Sequence, residues 1–582
     1  MLKNFTCTNM KYVAGFIAMS IAWLFPYAYG SAPDLMQQLF MVFLLCVASI
    51  MFGMRSSISM VFIFIFVGSL LMTSTSNLYW DRKIFGIIGI TLGALGLHVG
   101  FNFQKRSEGM SWFLFAILIA ASINAVEGLL QWFGLAGEFS GWIVDPERRG
   151  IAFGAFRQRN LFATFLCIGS ICTVWLFHKR RLTESMTWFI LIVLMFAVAA
   201  SGSRTGLLEV IALAMLGVLW RKHQAPAVTR LLVGQSVILG IALFTLSKAA
   251  SWLEFAFVSG FERSTRIGTD GRLIHLSNAI DLIKERPWFG WGWRETGYGH
   301  YVTLLSSYYG GLVDNVHNLP LQLAVEFGLP VSTTLVTAVI WSIWLNKPWR
   351  ISVVEVNGLI EPASDRHFAW AILLLIVGIH SMLEYPLWYA GFLFLTGLAI
   401  GYVLPVQSHG KIAPGYGFWS KLLIKLIAMS LIILVLLAWQ QYSKVLPIYK
   451  IPFTQDKEVN RKAMTTAIDN ASGAWLFQAQ LDFATLTLMD VTPQNAIEVR
   501  KISEKLLHYS AEPRVIQPLL LSLWYLNDVA ALMFHAERFC NAFPIAFKRW
   551  SQEHSNHPML IAAERAPDSC QPMIPIIELV PN

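Results

Sequence analysis

Apolar runs of roughly 17–25 residues, the length that crosses a hydrocarbon core, recur from Tyr12 to Trp439 with short breaks between them. The pattern predicts about thirteen spanning helices, over 12–29, 35–54, 58–73, 84–103, 112–135, 161–178, 187–200, 207–220, 231–247, 319–345, 368–384, 386–405 and 422–439. From about residue 440 the regime changes to ordinary polarity with helical periodicity and no further spanning run. Segments 474–488 and 515–537 read as helices there, paired as in helical repeats, although no clean repeat period is visible. The fold class is therefore all-α: a polytopic membrane helix bundle with a C-terminal soluble helical domain. Residues 1–247 carry the N-terminal transmembrane helices, 248–318 a large loop, 319–439 the C-terminal transmembrane helices and 440–582 the helical tail.

Charge orients this bundle. Only 14% of the residues are charged, well under the quarter usual in soluble domains, and the net charge is +9. Basic residues concentrate in cytoplasmic loops. An N-terminus on the inside places Lys3, Lys11, Arg55, Lys105, Arg106, Lys179, Arg180, Arg181, Arg221, Lys222, Arg230, Lys347, Arg350, Lys411 and Lys421 on that side together. Most of the basic charge thus reads as topology and calls for no nucleic acid. The first span is too long and poorly flanked for a cleaved signal peptide and is expected to remain as an anchor. Thirteen spans make the tail periplasmic, where Cys540 and Cys570 either pair or stay as two buried thiols. Cys7, Cys46, Cys167 and Cys172 lack metal-ligand grouping and read as packing.

Four polar segments resist a purely topological account, and this orientation puts all four at the outer surface. Gly154-Ala155-Phe156-Arg157-Gln158-Arg159-Asn160 leads into a spanning helix, with Arg148 and Arg149 close by. These arginines stand on the wrong side for the charge rule. Ser201-Gly202-Ser203-Arg204-Thr205-Gly206 breaks two apolar runs, with one charge among small residues that allow close approach. The loop 248–318 carries Arg263, Arg266 and Asp270-Gly271-Arg272, then Leu273, Leu276, Ile280 and Ile283 at the spacing of a helix lying on a membrane surface. It ends on Asp314-Asn315-Val316-His317-Asn318. The fourth segment is His380-Ser381-Met382-Leu383-Glu384-Tyr385-Pro386-Leu387-Trp388-Tyr389.

Several outer arginines with a histidine and a tyrosine, and no acid/histidine cluster at metal-ligand spacing, suit an anionic lipid-linked substrate. Guanidinium groups bind phosphate oxygens bidentately and keep their charge. They can stabilise a diphosphate leaving group as a divalent metal does elsewhere. A histidine can accept the proton of an attacking hydroxyl. The residues therefore suggest a metal-independent transferase with no cofactor. A transporter would place charge near mid-membrane and often shows internal repeats, whereas these apolar runs are nearly charge-free in their centres.

The same residues resemble the O-antigen ligase/polymerase superfamily, and more closely its bacterial O-linked protein oligosaccharyltransferases, the PglL-type and pilin glycosylation ligases. The likeness rests on Phe156-Arg157-Gln158-Arg159-Asn160-Leu161-Phe162-Ala163, Ser203-Arg204-Thr205-Gly206, Asp270-Gly271-Arg272, Asp314-Asn315-Val316-His317-Asn318 running into Gln322 and Glu326-Phe327-Gly328, and Glu384-Tyr385-Pro386-Leu387. It spans nearly the whole chain, including the soluble tail. The resemblance implies a GT-C-like membrane fold in the bacterial inner membrane, with its site facing the periplasm. His317 would be the essential histidine, with Gln158 and Tyr385 as further catalytic candidates. Arg204 and Arg272 would hold the undecaprenyl diphosphate, and Arg157, Arg159, Arg266 and Asn160 complete the candidate substrate-binding set. Where relatives often have Gln-Pro-Asn, this chain has Gln158-Arg159-Asn160. The implied reaction is en bloc transfer of an oligosaccharide from undecaprenyl diphosphate to a Ser or Thr hydroxyl of a periplasmic protein, type IV pilin among the candidates. Ligation to lipid A core, glycan polymerisation and transport of a lipid-linked glycan remain the alternatives.

Overall fold

The computed structural model describes residues 7–25, 35–53, 68, 79–104, 106–146, 148–260, 262, 272–305, 313–350, 355–356, 359–360, 365–404, 416–451 and 456–553. Apart from one short antiparallel pair, Glu355–Val356 with Leu359–Ile360, the regular structure of these residues is helical. Eight described helices are long and apolar enough to cross a membrane, and three shorter apolar helices accompany them. The protein is a multi-pass membrane protein. The expected span 58–73 lies almost wholly outside the described residues, and 319–345 is two helices, Leu319–Phe327 and Leu329–Asn346, broken at Gly328.

The chain divides into two compact units. The first comprises Met1–Phe66, Ile87–Gly268 and Ile340–Trp439. At its centre Arg159–His178 is buried along nearly its whole length, and it packs on Ser107–Phe133 and Glu184–Ser201. Lipid tails are as apolar as leucine, so close backbone approach and buried polar contacts hold such a bundle together. One crossing shows this directly. Gly96 and Gly100 face Gly397 and Gly401, each pair spaced as small-xxx-small, and a Cβ on Gly397 would lie 2.0 Å from the Gly93 carbonyl oxygen. Any side chain there would force Trp80–Phe103 and Ala390–Val403 apart.

The second unit comprises Val67–Gly86, Thr269–Val339 and Gln440–Asn582. Of the six described helices of the tail, from Lys457–Ala471 to Pro544–Glu553, the last five share a core that holds Leu486, Leu506, Val515, Leu519, Leu523, Phe539 and Trp550. The expected helix 515–537 is two, Pro513–Tyr525 and Val529–Ala542, because the chain turns at Asn527, which is left-handed (φ 55°). Tyr301 belongs to the same core, with Tyr298 and Val302 packed against it. The 269–339 segment and the tail therefore fold as one body. Arg82 stitches it further: its guanidinium donates to the carbonyls of Arg294 (3.0 Å), His508 (2.9 Å) and Tyr509. Cys540 is disulfide-bonded, and Cys570 lies outside the described residues.

Candidate functional site

The candidate residues fall in both units. In the first, the sequence Gly154–Phe156 folds as a single 3-10 turn ahead of the Arg159–His178 helix. Three buried amide side chains fix that turn. Gln37 Nε2 donates to the Ala155 carbonyl at 2.7 Å, and Asn124 Oδ1 accepts from the Ala155 N–H at 3.0 Å. Gln131 does most. Its Oε1 accepts from the N–H groups of Phe153 (2.9 Å) and Gly154 (2.8 Å), and its Nε2 donates to the carbonyls of Val144 (2.9 Å) and Gly154 (3.0 Å). Gln131→Leu leaves four backbone groups to find new partners and is expected to cost about 3 kcal/mol. Thermal unfolding in detergent checks this, and a Leu variant that melts with the wild type would contradict the clamp.

Beyond this turn Arg157 is exposed and left-handed (φ 58°), a backbone region costly for a side chain with a Cβ. Gln158 follows at the helix N-cap position, its Oε1 buried without a hydrogen-bond partner among the described residues. Arg159 begins the helix half-buried.

Asn160 is a three-way joint. Its Nδ2 donates to Glu384 Oε1 at 3.2 Å, and its Oδ1 accepts from the Ser203 hydroxyl at 2.7 Å. Ser203 in turn caps the helix Arg204–Leu219 by accepting from the Gly206 N–H at 3.1 Å. Arg204 is therefore the first residue of a helix whose N-terminal dipole adds to its own positive charge. Tyr385 follows Glu384 directly, and its ring packs against Trp388 (5.0 Å) and Tyr389 (6.3 Å). Asn160, Ser203-Arg204 and Glu384-Tyr385, far apart in sequence, are thus tied by hydrogen bonds into one cluster.

His317, Arg272 and the residues around them belong to the second unit. His317 is left-handed (φ 55°), and its N–H donates to the Oδ1 of buried Asn315 at 2.7 Å. Its ring lies 5.4 Å, centroid to centroid, from that of His275. The Val316 N–H donates to Gln322 Oε1 at 2.9 Å. Gln322 Nε2 donates to Thr296 Oγ1 and to Glu326 Oε1, both at 2.9 Å, and Glu326 Oε1 also accepts from the Arg294 N–H at 3.0 Å. Gly290 and Gly328 let the two strips of backbone touch, since a Cβ on Gly328 would meet the Trp288 carbonyl oxygen at 2.2 Å.

Arg272 opens the helix Arg272–Glu285, and Arg266 lies outside the described residues. Leu273, Leu276 and Ile280 on this helix are exposed, while Ile283 packs inward. Its buried face instead carries His275, Asn278, Ala279 and Leu282. Burial pushes the neighbouring His300 imidazole down to about 4, so it is neutral near pH 7, and its Nε2 accepts from Asn278 Nδ2 at 3.1 Å. Sequence reasoning passed over His275, whose only signal is its place one turn after Arg272 on the opposite side from the leucines. The three amides of the first unit carried no signal either, because buried glutamine and asparagine have no required spacing.

Comparison with known proteins gives these segments a context. Residues 152–177 match the protein glycosylation ligase family, 189–336 the O-antigen ligase family and 367–557 the virulence factor membrane-bound polymerase C-terminal family. The chain is 24% identical over 437 residues to the general O-oligosaccharyltransferase of Acinetobacter baylyi, covering 73% of this chain and 72% of that protein. It is 22% identical over 333 residues to the ComP-specific O-oligosaccharyltransferase of the same organism, covering 56% and 57%. No solved structure matches the chain. Each of the three matched segments supplies one side chain to the joint: Asn160, Ser203 and Glu384.

Proposed function

We propose that this homologue of the O-antigen ligases and protein glycosylation ligases is an O-oligosaccharyltransferase of the bacterial inner membrane. It moves a glycan en bloc from undecaprenyl diphosphate to Ser or Thr hydroxyls of periplasmic proteins, pilins among them. The observation that carries this reading is the Asn160 joint, which gathers polar side chains from three family-matched segments at the N-terminus of the Arg204 helix.

In this reading Arg204 and Arg272 hold the diphosphate, with Arg157, Arg159, Arg266 and Asn160 lining the donor site. Arginine suits the task because it never deprotonates and meets phosphate oxygens two at a time. His317 takes the proton of the acceptor hydroxyl. The hydroxyl oxygen forms a bond to the anomeric carbon, the bond from that carbon to the phosphate oxygen breaks, and undecaprenyl diphosphate leaves with the electron pair. Charge grows on the leaving diphosphate as the bond breaks, so guanidinium groups stabilise the transition state more than the ground state. Gln158 and Tyr385 complete the catalytic set by orienting the acceptor. The match of 367–557 to the polymerase family keeps glycan extension as the second reading.

Spheroplasts with an intact inner membrane provide the test. A purified periplasmic acceptor protein added from outside is expected to gain glycan, detected by mass spectrometry, only when this chain is present. Lengthening of the lipid-linked glycan instead would favour polymerisation. Transfer only after permeabilisation would overturn the outward-facing site, and no new product in any arm would overturn the transferase reading.

A further inference from the structure

One helical turn inside the Asn160 joint the first unit holds a second set of polar side chains. Thr164 stands four residues after Asn160, Glu209 five after Arg204, and His380 four before Glu384. All three are fully buried. Thr164 Oγ1 donates to Glu209 Oε1 at 2.7 Å and lies 2.8 Å from His380 Nδ1. A hydroxyl has one proton to give. With that proton directed at Glu209, the contact to His380 is satisfied when its Nδ1–H donates to the Thr164 oxygen.

His380 reaches this position through an irregular backbone. A π-helical turn, Leu374–Ile379, leads straight into it, and the Ser381 hydroxyl donates to the Ile376 carbonyl at 2.7 Å. Such turns cost helix regularity and recur at functional sites. A buried carboxyl, imidazole and hydroxyl are also a costly way to fill a membrane bundle, where apolar side chains would pack at no desolvation penalty. What the set achieves is geometric. It joins the same three elements as the Asn160 joint, a turn deeper, so that each helix end is fixed at two levels and cannot pivot about one.

We propose that Thr164, Glu209 and His380 are positioning residues of the donor site, setting the register of Arg204 and of Glu384-Tyr385 against the Arg159–His178 helix. The inference rests on the reading of Arg204 as a donor ligand. Misplacing a group by about 1 Å can cost on the order of 10²-fold, so a smaller displacement is still readable.

The test is the Kd of purified protein for undecaprenyl diphosphate, measured beside thermal unfolding without ligand. Thr164→Val is isosteric and lacks only the hydroxyl; it is expected to raise Kd about tenfold or more. Thr164→Ser restores the hydroxyl and is expected to return Kd to within about threefold of wild type. A merely structural role would lower the melting temperature of both variants and leave the Kd of the folded protein unchanged. Should Thr164→Val not accumulate, Glu209→Gln and Glu209→Leu carry the test, with Leu expected to bind more weakly than Gln. Wild-type Kd in Thr164→Val, or in both Glu209 variants, overturns the positioning role if Arg204→Ala binds weakly. Wild-type Kd in Arg204→Ala overturns instead the donor-site reading beneath it.

Discussion

Replacing His317 by alanine is expected to slow glycan transfer by about 10²–10⁴-fold, the range removed with a general base. Protein level in the membrane and donor affinity should stay near wild type. The local structure sets this residue apart from its neighbours. Its backbone is held left-handed, its N–H is tied to Asn315, and the Val316 N–H before it is tied to Gln322. So constrained a backbone fixes the direction in which the side chain leaves it, which favours the positioning that a general base needs. His300 cannot substitute, because it is buried and committed to Asn278. His275 is buried on the helix beside His317 and is expected to matter through the ring it packs on. His317 already bears the Cβ strain of a left-handed position, about 1–2 kcal/mol, which alanine keeps and glycine relieves, so His317→Gly belongs beside it as the variant whose backbone is at ease there. Both variants should show this loss of transfer with an unchanged Kd for undecaprenyl diphosphate. A well-expressed glycine variant that transfers glycan at the wild-type rate would remove His317 from the chemistry.

How much of this could be read from the chain differs by element, for physical reasons. The apolar runs report the membrane helices because lipid imposes a length and a composition on each helix separately. The arginines at Arg157–Arg159 and Arg204 stood out because they break the charge rule for an outer surface, a violation visible without knowing any contact. The break at Gly328 was hidden. Apolarity continues through it, and the need for glycine comes from the Trp288 carbonyl pressed against it from another part of the chain. The joints were equally invisible. Asn160, Ser203 and Glu384 each sit in a noticeable motif, yet that they bond to one another depends on three helix ends converging. Thr164 and Glu209 lie inside apolar runs and read there as isolated blemishes. The shared core of the 269–339 segment and the tail likewise depends on contacts such as that of Tyr301 with His535, more than two hundred positions apart.

Arg204→Ala is expected to raise the KM for the lipid-linked donor by about 10–100-fold, the loss of one or two charge-assisted hydrogen bonds to phosphate. Arg204→Lys should fall between, because lysine keeps the charge and gives up the planar fork that grips two oxygens at once. The ordering tests the geometry more sharply than either value alone. If Arg204 acted only through its charge, lysine would rescue fully. If it acted only by capping or packing, lysine and alanine would differ little, and neither would alter donor affinity. The bidentate case is the one expected. Arg204 is the first residue of a helix whose first backbone N–H groups lack intrahelical acceptors, Ser203 capping that of Gly206. The cap on Ser203 leaves that end ordered, so a phosphate group bound there would meet donors already in place. Raising the salt concentration should weaken donor binding by the wild type more than by Arg204→Ala, since the variant has less charge to screen. Equal KM values for wild type, alanine and lysine at low salt would show that the diphosphate is held elsewhere, and Arg272 would then be the remaining arginine to test.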